Sequence, residues 1–372
     1  MKVFKFGGTS VGSPERIKNV SKLVSNDEPK IVVLSAMSGT TNNLVEIADY
    51  YYKKNDAAAF DRISELENKY KKVIDELLVT KEYKEKAGEY TKNVFSHLRS
   101  FRGKDFTSTQ EKDILAQGEL LSTHLFTYFN HESNIDTVLL PALDYMKVDE
   151  NGEPILAEIE KDLNKMLAVY PGKKLFVTQG FICRNPKGQI DNLKRGGSDY
   201  SATLIGAAIE SGEVQIWTDI DGVHNNDPRI VNNTFPIAQM SFDEAAELAY
   251  FGAKILHPAT VLPAKLKNIP VLLKNTMDPQ AAGTTISNEV IGSGIKAIAA
   301  KDNITVVNIK SSRMLMAYGF LRKVFEIFEN YRTPIDMITT SEVALSITID
   351  NSKFLSEILG ELRELGTVTI TE

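Results

Sequence analysis

Apolar and polar positions alternate along the chain in two rhythms. Val3 to Phe6 reads as a short strand, and Gly7-Gly8-Thr9-Ser10-Val11-Gly12 as the turn that leaves it. Ser13-Pro14 then offers a helix start, with a capping hydroxyl before a proline at the first helical position. Ile17, Val20, Leu23 and Val24 recur at helical spacing, so that helix has one apolar face. Lys30 to Ser35 is nearly all apolar, as in a strand buried on both sides. The opening is therefore a βαβ unit. From about 44 to 131 the sequence turns long, charged and helical, and its charge runs predict solvated helix faces. Strand-like runs return at Thr137–Leu140, Leu175–Thr178, Val214–Trp217 and Ile269–Leu273. Between them Ser201–Gly212 and Ser241–Gly252 are helical in pattern, the second opened by a Ser241-x-x-Glu244 capping box.

Beyond about Gly292 the rhythm shortens. Thr305–Lys310, Ile335–Thr339, Glu342–Ile349 and Thr367–Thr371 read as strands, and Gly319–Tyr331 and Phe354–Leu365 as helices. That β-α-β-β-α-β order is the ferredoxin-like unit. The pattern predicts an α/β domain with a largely parallel sheet over residues 1–292, followed by a small α+β domain over 293–372.

Composition narrows the function classes. The chain has 372 residues, 42% hydrophobic and 25% charged, which excludes disordered and fibrous classes. A net charge of −6 without a basic block argues against nucleic acid or an anionic membrane as partner. No apolar stretch reaches a membrane span, and glycine arrives too early at the N-terminus for a signal peptide. A lone cysteine, Cys183, cannot form an intrachain disulfide, which fits a reducing cytoplasm. The five histidines lack zinc-ligand spacing, and no Gly-x-Ser-x-Gly elbow occurs, so metalloenzyme and serine-hydrolase readings have no support.

Three segments carry candidate chemistry. In Lys5-Phe-Gly-Gly-Thr-Ser-Val-Gly12 the glycines sit between a strand and a helix start, where backbone N–H groups and the helix dipole suit an anion. The loop lacks the Gly-Lys-Ser/Thr of a Walker A motif, and a plain glycine turn beside a surface lysine is the competing account. Lys194-Arg-Gly-Gly-Ser-Asp199 offers a guanidinium for a carboxylate or phosphate, with Asp199 placed to order a lysine. A capped helix with a surface ion pair would look the same. Trp217-Thr-Asp-Ile-Asp-Gly-Val-His-Asn-Asn-Asp-Pro-Arg229 is an acidic loop after a strand, the usual ligand position in an open α/β sheet. Its carboxylates could touch Mg²⁺ through water, although Asp-Gly and Asp-Pro are also ordinary turn signals. Glu119, in Gly118-Glu-Leu-Leu-Ser-Thr, reads by composition as one more helix-surface acid.

Together these segments resemble the aspartokinase family. KFGGTSVG (5–12), SAMSGTTNNLV (35–45), QGELLS (117–122), KRGGSDYSATLIGAA (194–208), WTDIDGVHNNDPR (217–229) and SFDEAAELAYFGAKILHPATVLPA (241–264) match it in order. The run MLMAYGFLRKVFEIFE (314–329) with IDMITTSEVALSIT (335–348) resembles its regulatory ACT domain. The resemblance implies an amino-acid-kinase αβα sandwich followed by an ACT domain, and transfer of the ATP γ-phosphoryl group to L-aspartate with Mg²⁺. No residue is expected to bind the metal directly. It implies catalytic roles for Lys5 and Asp199, and substrate contacts from Thr41, Glu119, Arg195 and Ser198. ATP contacts fall on Lys5, Gly7, Gly8, Ser10, Thr218, Asp219, His224, Arg229 and Lys254. An effector would meet Met314, Gly319, Phe320, Leu321, Asp336, Ser341 and Glu342. A homodimer or higher homo-oligomer in the cytoplasm, with a feedback amino acid, completes the expectation. Another amino-acid kinase and a catalytically inactive amino-acid sensor are the alternatives.

The chain also departs from the family pattern. His224 stands where many members have tyrosine, Lys194 replaces a common glycine, and Met316 and Ala317 replace polar effector contacts. Members usually carry two ACT units, with Ile295–Lys301 as the opening strand of the second. One complete unit is present here, the second is expected to be missing, and feedback inhibition is expected to be weakened.

Overall fold

In the computed structural model the first strand, β1 (Lys2–Phe6), turns Val3 into one apolar core and Phe4 and Phe6 into another. This is the two-sided burial expected of a central parallel strand. The structure describes residues 1–371 other than 194–195, 253–255, 257, 290–291, 293 and 315–317. These form two compact units, Met1–Ala299 and Ala300–Glu372, so the chain divides after Ala299, whereas the sequence pattern places the boundary after Gly292.

Helix α1 (Pro14–Val24) starts as its sequence requires: the Ser13 hydroxyl accepts from the Arg16 N–H and Pro14 takes the first turn. Strand β2 (Lys30–Leu34) follows. The charged stretch then folds into four helices, α2 (Thr40–Tyr52), α3 (Asp56–Leu77), α4 (Lys81–Arg99) and α5 (Ser108–Glu132). All four contribute side chains to a core shared with Phe4, Phe6, Val32 and Leu34, and α5 also reaches the opposite core through Ala116. Next come β3 (Thr137–Leu140), α6 (Ala142–Tyr145), α7 (Leu156–Ala168) and β4 (Leu175–Gln179). A hairpin of β5 (Ile182–Arg184) and β6 (Ile190–Asn192) leads to α8 (Gly197–Ala208) and β7 (Val214–Thr218). The unit closes with β8 (Gln239–Ser241), α9 (Phe242–Tyr250), α10 (Pro258–Leu266), β9 (Val271–Asn275) and β10 (Thr284–Ser287). The capping box at the start of α9 is present, as its sequence predicts.

One eight-stranded sheet runs β3-β4-β2-β1-β7-β9-β10-β8, parallel except for the antiparallel β9–β10 pair. Registers align Phe6 with Leu34 and Trp217, and Leu34 with Gln179. The carboxyl ends of β1, β2, β4 and β7 therefore open at one edge. Chain order reverses around β1, which makes that edge the natural ligand crevice of an open α/β sheet.

Helix α8 differs from expectation. The pattern suggests Ser201–Gly212, but the helix begins at Gly197 and ends at Ala208. Gly196 adopts a left-handed φ of 65°, and the Thr260 methyl fills the space a Cβ there would need. The chain turns at that glycine, so Ser198 and Asp199 lie in the first helical turn instead of in a loop. At the other end Glu210 turns left-handed, φ 48°, before Gly212 is reached.

The second unit comprises β11 (Thr305–Lys310), α11 (Phe320–Asn330), β12 (Met337–Thr340), β13 (Ala344–Ile349), α12 (Leu355–Leu365) and β14 (Thr367–Thr371). Its antiparallel order β12-β13-β11-β14 is that of a ferredoxin-like fold. Val307, Ile309, Leu345 and Ile347 pack with Val324, Phe328, Ile358 and Leu362 in its core. Glu342 lies in the turn before β13, not in the strand, because Ser341 closes that turn onto Ala344. Residues 295–301 form no strand; the Ile298 N–H donates instead to the Asn225 carbonyl at 2.9 Å.

Candidate active site

Lys5 alternates with Phe4 and Phe6, so its side chain shares Val3's face and meets α8. There its Nζ lies 2.7 Å from Asp199 Oδ1, both groups mostly buried. The same ammonium stands 3.5 Å from where a Cβ on Gly7 would sit, so the lysine rises under the glycine loop. Gly7 donates its N–H to the Trp217 carbonyl at 3.3 Å, and Ser10 donates to Gly7 at 3.0 Å. Among the described residues the N–H groups of Gly8 and Thr9 meet no acceptor, which leaves them available to an anion. Gly8 is required for a separate reason, since a Cβ there would approach the Ala36 carbonyl to 2.7 Å.

The second wall is the turn after β2. The Ser38 N–H and hydroxyl both donate to the Gly8 carbonyl at 3.1 Å. Ser35 Oγ donates to Ser198 Oγ at 2.9 Å, tying the turn to the first turn of α8. Thr41 is exposed in the first turn of α2, whose cap, Gly39 at φ 76°, supplies no side-chain acceptor. Glu119 comes from the middle of α5, where Gly118 lets the helix approach Ala36 closely. The Glu119 carboxyl is only 4% exposed. Its Oε1 accepts the Ala36 N–H at 3.2 Å, while its buried Oε2 has no partner among the described residues. Burial pushes its pKa up to about 8, against the opposing pull of the Ala36 N–H and the Lys5 charge.

The third wall follows β7. Thr218 Oγ1 donates to Asp219 Oδ1 at 3.1 Å, and the Thr218 carbonyl accepts from Thr276 at 2.8 Å. Ser10, fully buried, shares a 2.7 Å hydrogen bond with Thr276, fastening the glycine loop to the loop after β9. His224 sits between Asp221, 2.6 Å from Nε2, and Thr234, 2.9 Å from Nδ1. That imidazole holds the Asp221 carboxyl below its usual range. Arg229, 78% exposed, pairs with Asp227 at 2.6 Å, and the guanidinium holds the aspartate near 2. Arg195 and Lys254 lie outside the described residues. Among the described residues no group of three or more His, Cys, Asp or Glu converges as metal ligands, and no helix is long and apolar enough to cross a membrane.

The sequence profile of the amino acid kinase family matches residues 1–275. Lysine-sensitive aspartokinase 3 of Escherichia coli (strain K12) is 33% identical, over all of this chain and 84% of that protein. This chain belongs to the aspartokinase family. A chloroplastic aspartokinase 3 of Arabidopsis thaliana is 35% identical, over 99% of this chain and 69% of its own length. The crystal structure of E. coli aspartokinase III in complex with aspartate and ADP superposes with a TM-score of 0.83 at 32% identity, covering 100% of this chain and 85% of that one.

In this aspartokinase-family chain, then, one crevice gathers Lys5, Gly8, Glu119, Ser198 and Asp199 from three separate segments. Four residues there are not among the site residues expected from the sequence. Ser35 and Ser38 stand in the SAMSG segment directly after a strand, a signal that could have found them. Thr276 carries no local signal. Phe181 is held at φ 69°, an uncommon state for an aromatic residue, with its N–H on Ser201 Oγ at 2.8 Å.

The candidate effector residues all fall in the second unit. Phe320 is buried in its core, Gly319 caps α11 at φ 82°, and Leu321, Ser341 and Glu342 are exposed. Met314 packs at the core's edge, and Asp336 pairs with Lys301 at 3.5 Å. The neighbouring departures Met316 and Ala317 lie outside the described residues.

Proposed function

We propose that the chain is an aspartate kinase, transferring the γ-phosphoryl group of MgATP to the side-chain carboxylate of L-aspartate. The observation that carries this reading is the pairing of unlike charges in one crevice. A buried lysine ion-paired to Asp199 stands under loop amides, beside a buried glutamate; among the described residues those amides and one glutamate oxygen have no partner.

The chemistry needs little more than position and charge. An aspartate side chain is ionised at pH 7, so it attacks without a general base. A carboxylate oxygen forms a bond to the γ-phosphorus, the bond from that phosphorus to the bridging oxygen breaks, and ADP leaves with its electron pair. Lys5 would neutralise charge on the transferring group, and Asp199 would keep the ammonium aimed there. Gly8, with Gly7 shaping the loop beside it, would offer backbone amides, and Ser10 would hold that loop in place. Glu119 would take the substrate ammonium, while Arg195, Thr41 and Ser198 would hold its carboxylates. Thr218, Asp219, His224, Arg229 and Lys254 would line the nucleotide. Mg²⁺ would arrive on the ATP phosphates, in keeping with its preference for phosphate and water oxygens. We further assign to the 300–372 unit the binding of a feedback amino acid, and to the whole chain a cytoplasmic homo-oligomer.

A coupled assay of ADP release with aspartate, glutamate and a nucleoside monophosphate as acceptors tests the reading. Turnover with aspartate alone is expected. Turnover with either other acceptor, or ADP release independent of acceptor, would replace it.

A further inference from the structure

Helix α3 carries one charge that its neighbours do not explain. Its other half-buried charged side chains are paired: Asp56 with Arg102, Arg62 with Glu46 and Glu65, and Glu67 with Arg99 and Lys71. Lys69 is also half-buried, but among the described residues it meets no carboxylate. Among the described residues its ammonium makes one hydrogen bond, from Nζ to the Ser38 carbonyl at 2.7 Å. Burial alone sets its pKa below the usual lysine range.

The placement is unfavourable on its own terms. The ammonium lies 3.9 Å from where a Cβ on Gly39 would sit, beside the N-terminal end of α2. A helix start repels a cation, typically by about 0.3–1 kcal/mol, and among the described residues no acid offsets it. The contact nevertheless has a consequence. Ser38 receives Lys69 on its carbonyl while its N–H and hydroxyl both hold the Gly8 carbonyl. Lys69, Ser38 and Gly8 thus form one line from the helical layer to the glycine loop. The same turn carries Ala36, which holds Glu119, and leads into α2, whose first turn bears Thr41, the candidate substrate contact.

We infer that Lys69 is a positioning residue for this reaction, clamping the Ser38 turn against the glycine loop and adding an unneutralised positive charge where a dicarboxylate substrate enters. The inference rests on the kinase reading above. An anionic substrate supplies the counter-charge that the protein withholds, so the clamp and the charge should act together when aspartate binds.

The test compares Lys69→Met, Lys69→Gln and Lys69→Arg with the wild-type chain in the ADP-release assay, with melting temperature as a fold control. Lys69→Met should raise the aspartate KM about tenfold, a loss of about 1.4 kcal/mol, with the ATP KM within twofold and Tm nearly unchanged. Lys69→Arg should return the aspartate KM to within threefold of wild type. Lys69→Gln keeps a donor for Ser38 without the charge, so it should hold kcat while KM stays raised; it also serves should the Met variant fold poorly. An aspartate KM within threefold of wild type in both neutral variants would overturn the inference. So would a parallel rise in both KM values with a lowered Tm that arginine does not rescue, which would make Lys69 a structural strut. Failure of the wild-type chain to turn over aspartate would instead sink the kinase reading, and this inference with it.

Discussion

Replacing Glu119 by Gln tests the electrostatics of the crevice without any substrate. The carboxyl is held at about 8 against an ordinary value of 4.5, with burial as the main cause. A raised carboxyl pKa means the folded state binds the proton more tightly than the unfolded one. Its contribution to stability is then complete below about pH 4.5 and is lost as pH rises toward 8. Each unit is worth about 1.4 kcal/mol, so the loss between pH 5 and pH 8 comes to about 3–4 kcal/mol. Gln has nearly the same shape but cannot ionise, so any constant cost of the amide cancels when the gap between the two proteins is followed with pH. Urea unfolding of both at pH 5, 6, 7 and 8 should show the variant gaining on the wild type by about 3 kcal/mol across that range. Parallel stability curves would refute the argument, because they would mean that Glu119 is ionised in the folded protein throughout. A second readout follows from the proposed pairing with the substrate ammonium. At pH 7 aspartate should displace nearly one proton, about 0.9 by the same linkage, measurable by calorimetry in buffers of different ionisation enthalpy. The Gln variant should displace none and bind aspartate far more weakly.

Lys5→Ala should lower kcat by about 10²–10³, the usual loss for an electrostatic donor at a transferring group, while aspartate still binds; a variant retaining more than about a tenth of wild-type kcat would remove Lys5 from catalysis. Arg195→Lys should raise the aspartate KM and spare that for ATP, since an ammonium cannot reproduce a two-pronged guanidinium contact; an equal rise in both would assign the arginine a shared structural role. Gly8→Ala forces a methyl toward the Ala36 carbonyl, a backbone atom with little freedom to move. It should cost about 1–3 kcal/mol in stability and most of the activity, and a variant with wild-type Tm and kcat would show that the two loops separate freely.

Much of the crevice is legible in the sequence because local rules write it. The strand Val3–Phe6 places Lys5 by alternation alone, and the glycines after it can only turn. The Ser13-Pro14 start of α1 and the Ser241-x-x-Glu244 box of α9 are satisfied by groups three residues apart, so the sequence shows them directly. The βαββαβ order of the second unit follows from short alternating runs whose inner faces, such as Val307 and Ile309, must find a core.

What the sequence could not decide was which polar groups are removed from water. Glu119 looks by composition like a surface acid because α5 buries residues on several faces, from Ile114 and Ala116 through Gly118 to Leu121 and Ser122, which erases the single stripe that periodicity detects. Its unusual proton affinity exists only because the turn after β2 closes over it. Lys69 is one lysine among many until α3 packs, and Ser10 meets Thr276 across 266 residues of chain. Helix α8 starts at Gly197 for a similar reason, since the Thr260 methyl against Gly196 sets where the chain turns. Alternation, caps and glycine turns depend on neighbours within a few residues, so the sequence alone determined the elements and the identity of the loop chemistry. Desolvation and ion pairing depend on distances between segments far apart in the chain, so the charge state of Glu119, the Lys5–Asp199 pair and the contact of Lys69 with the Ser38 carbonyl were decided only by the tertiary structure.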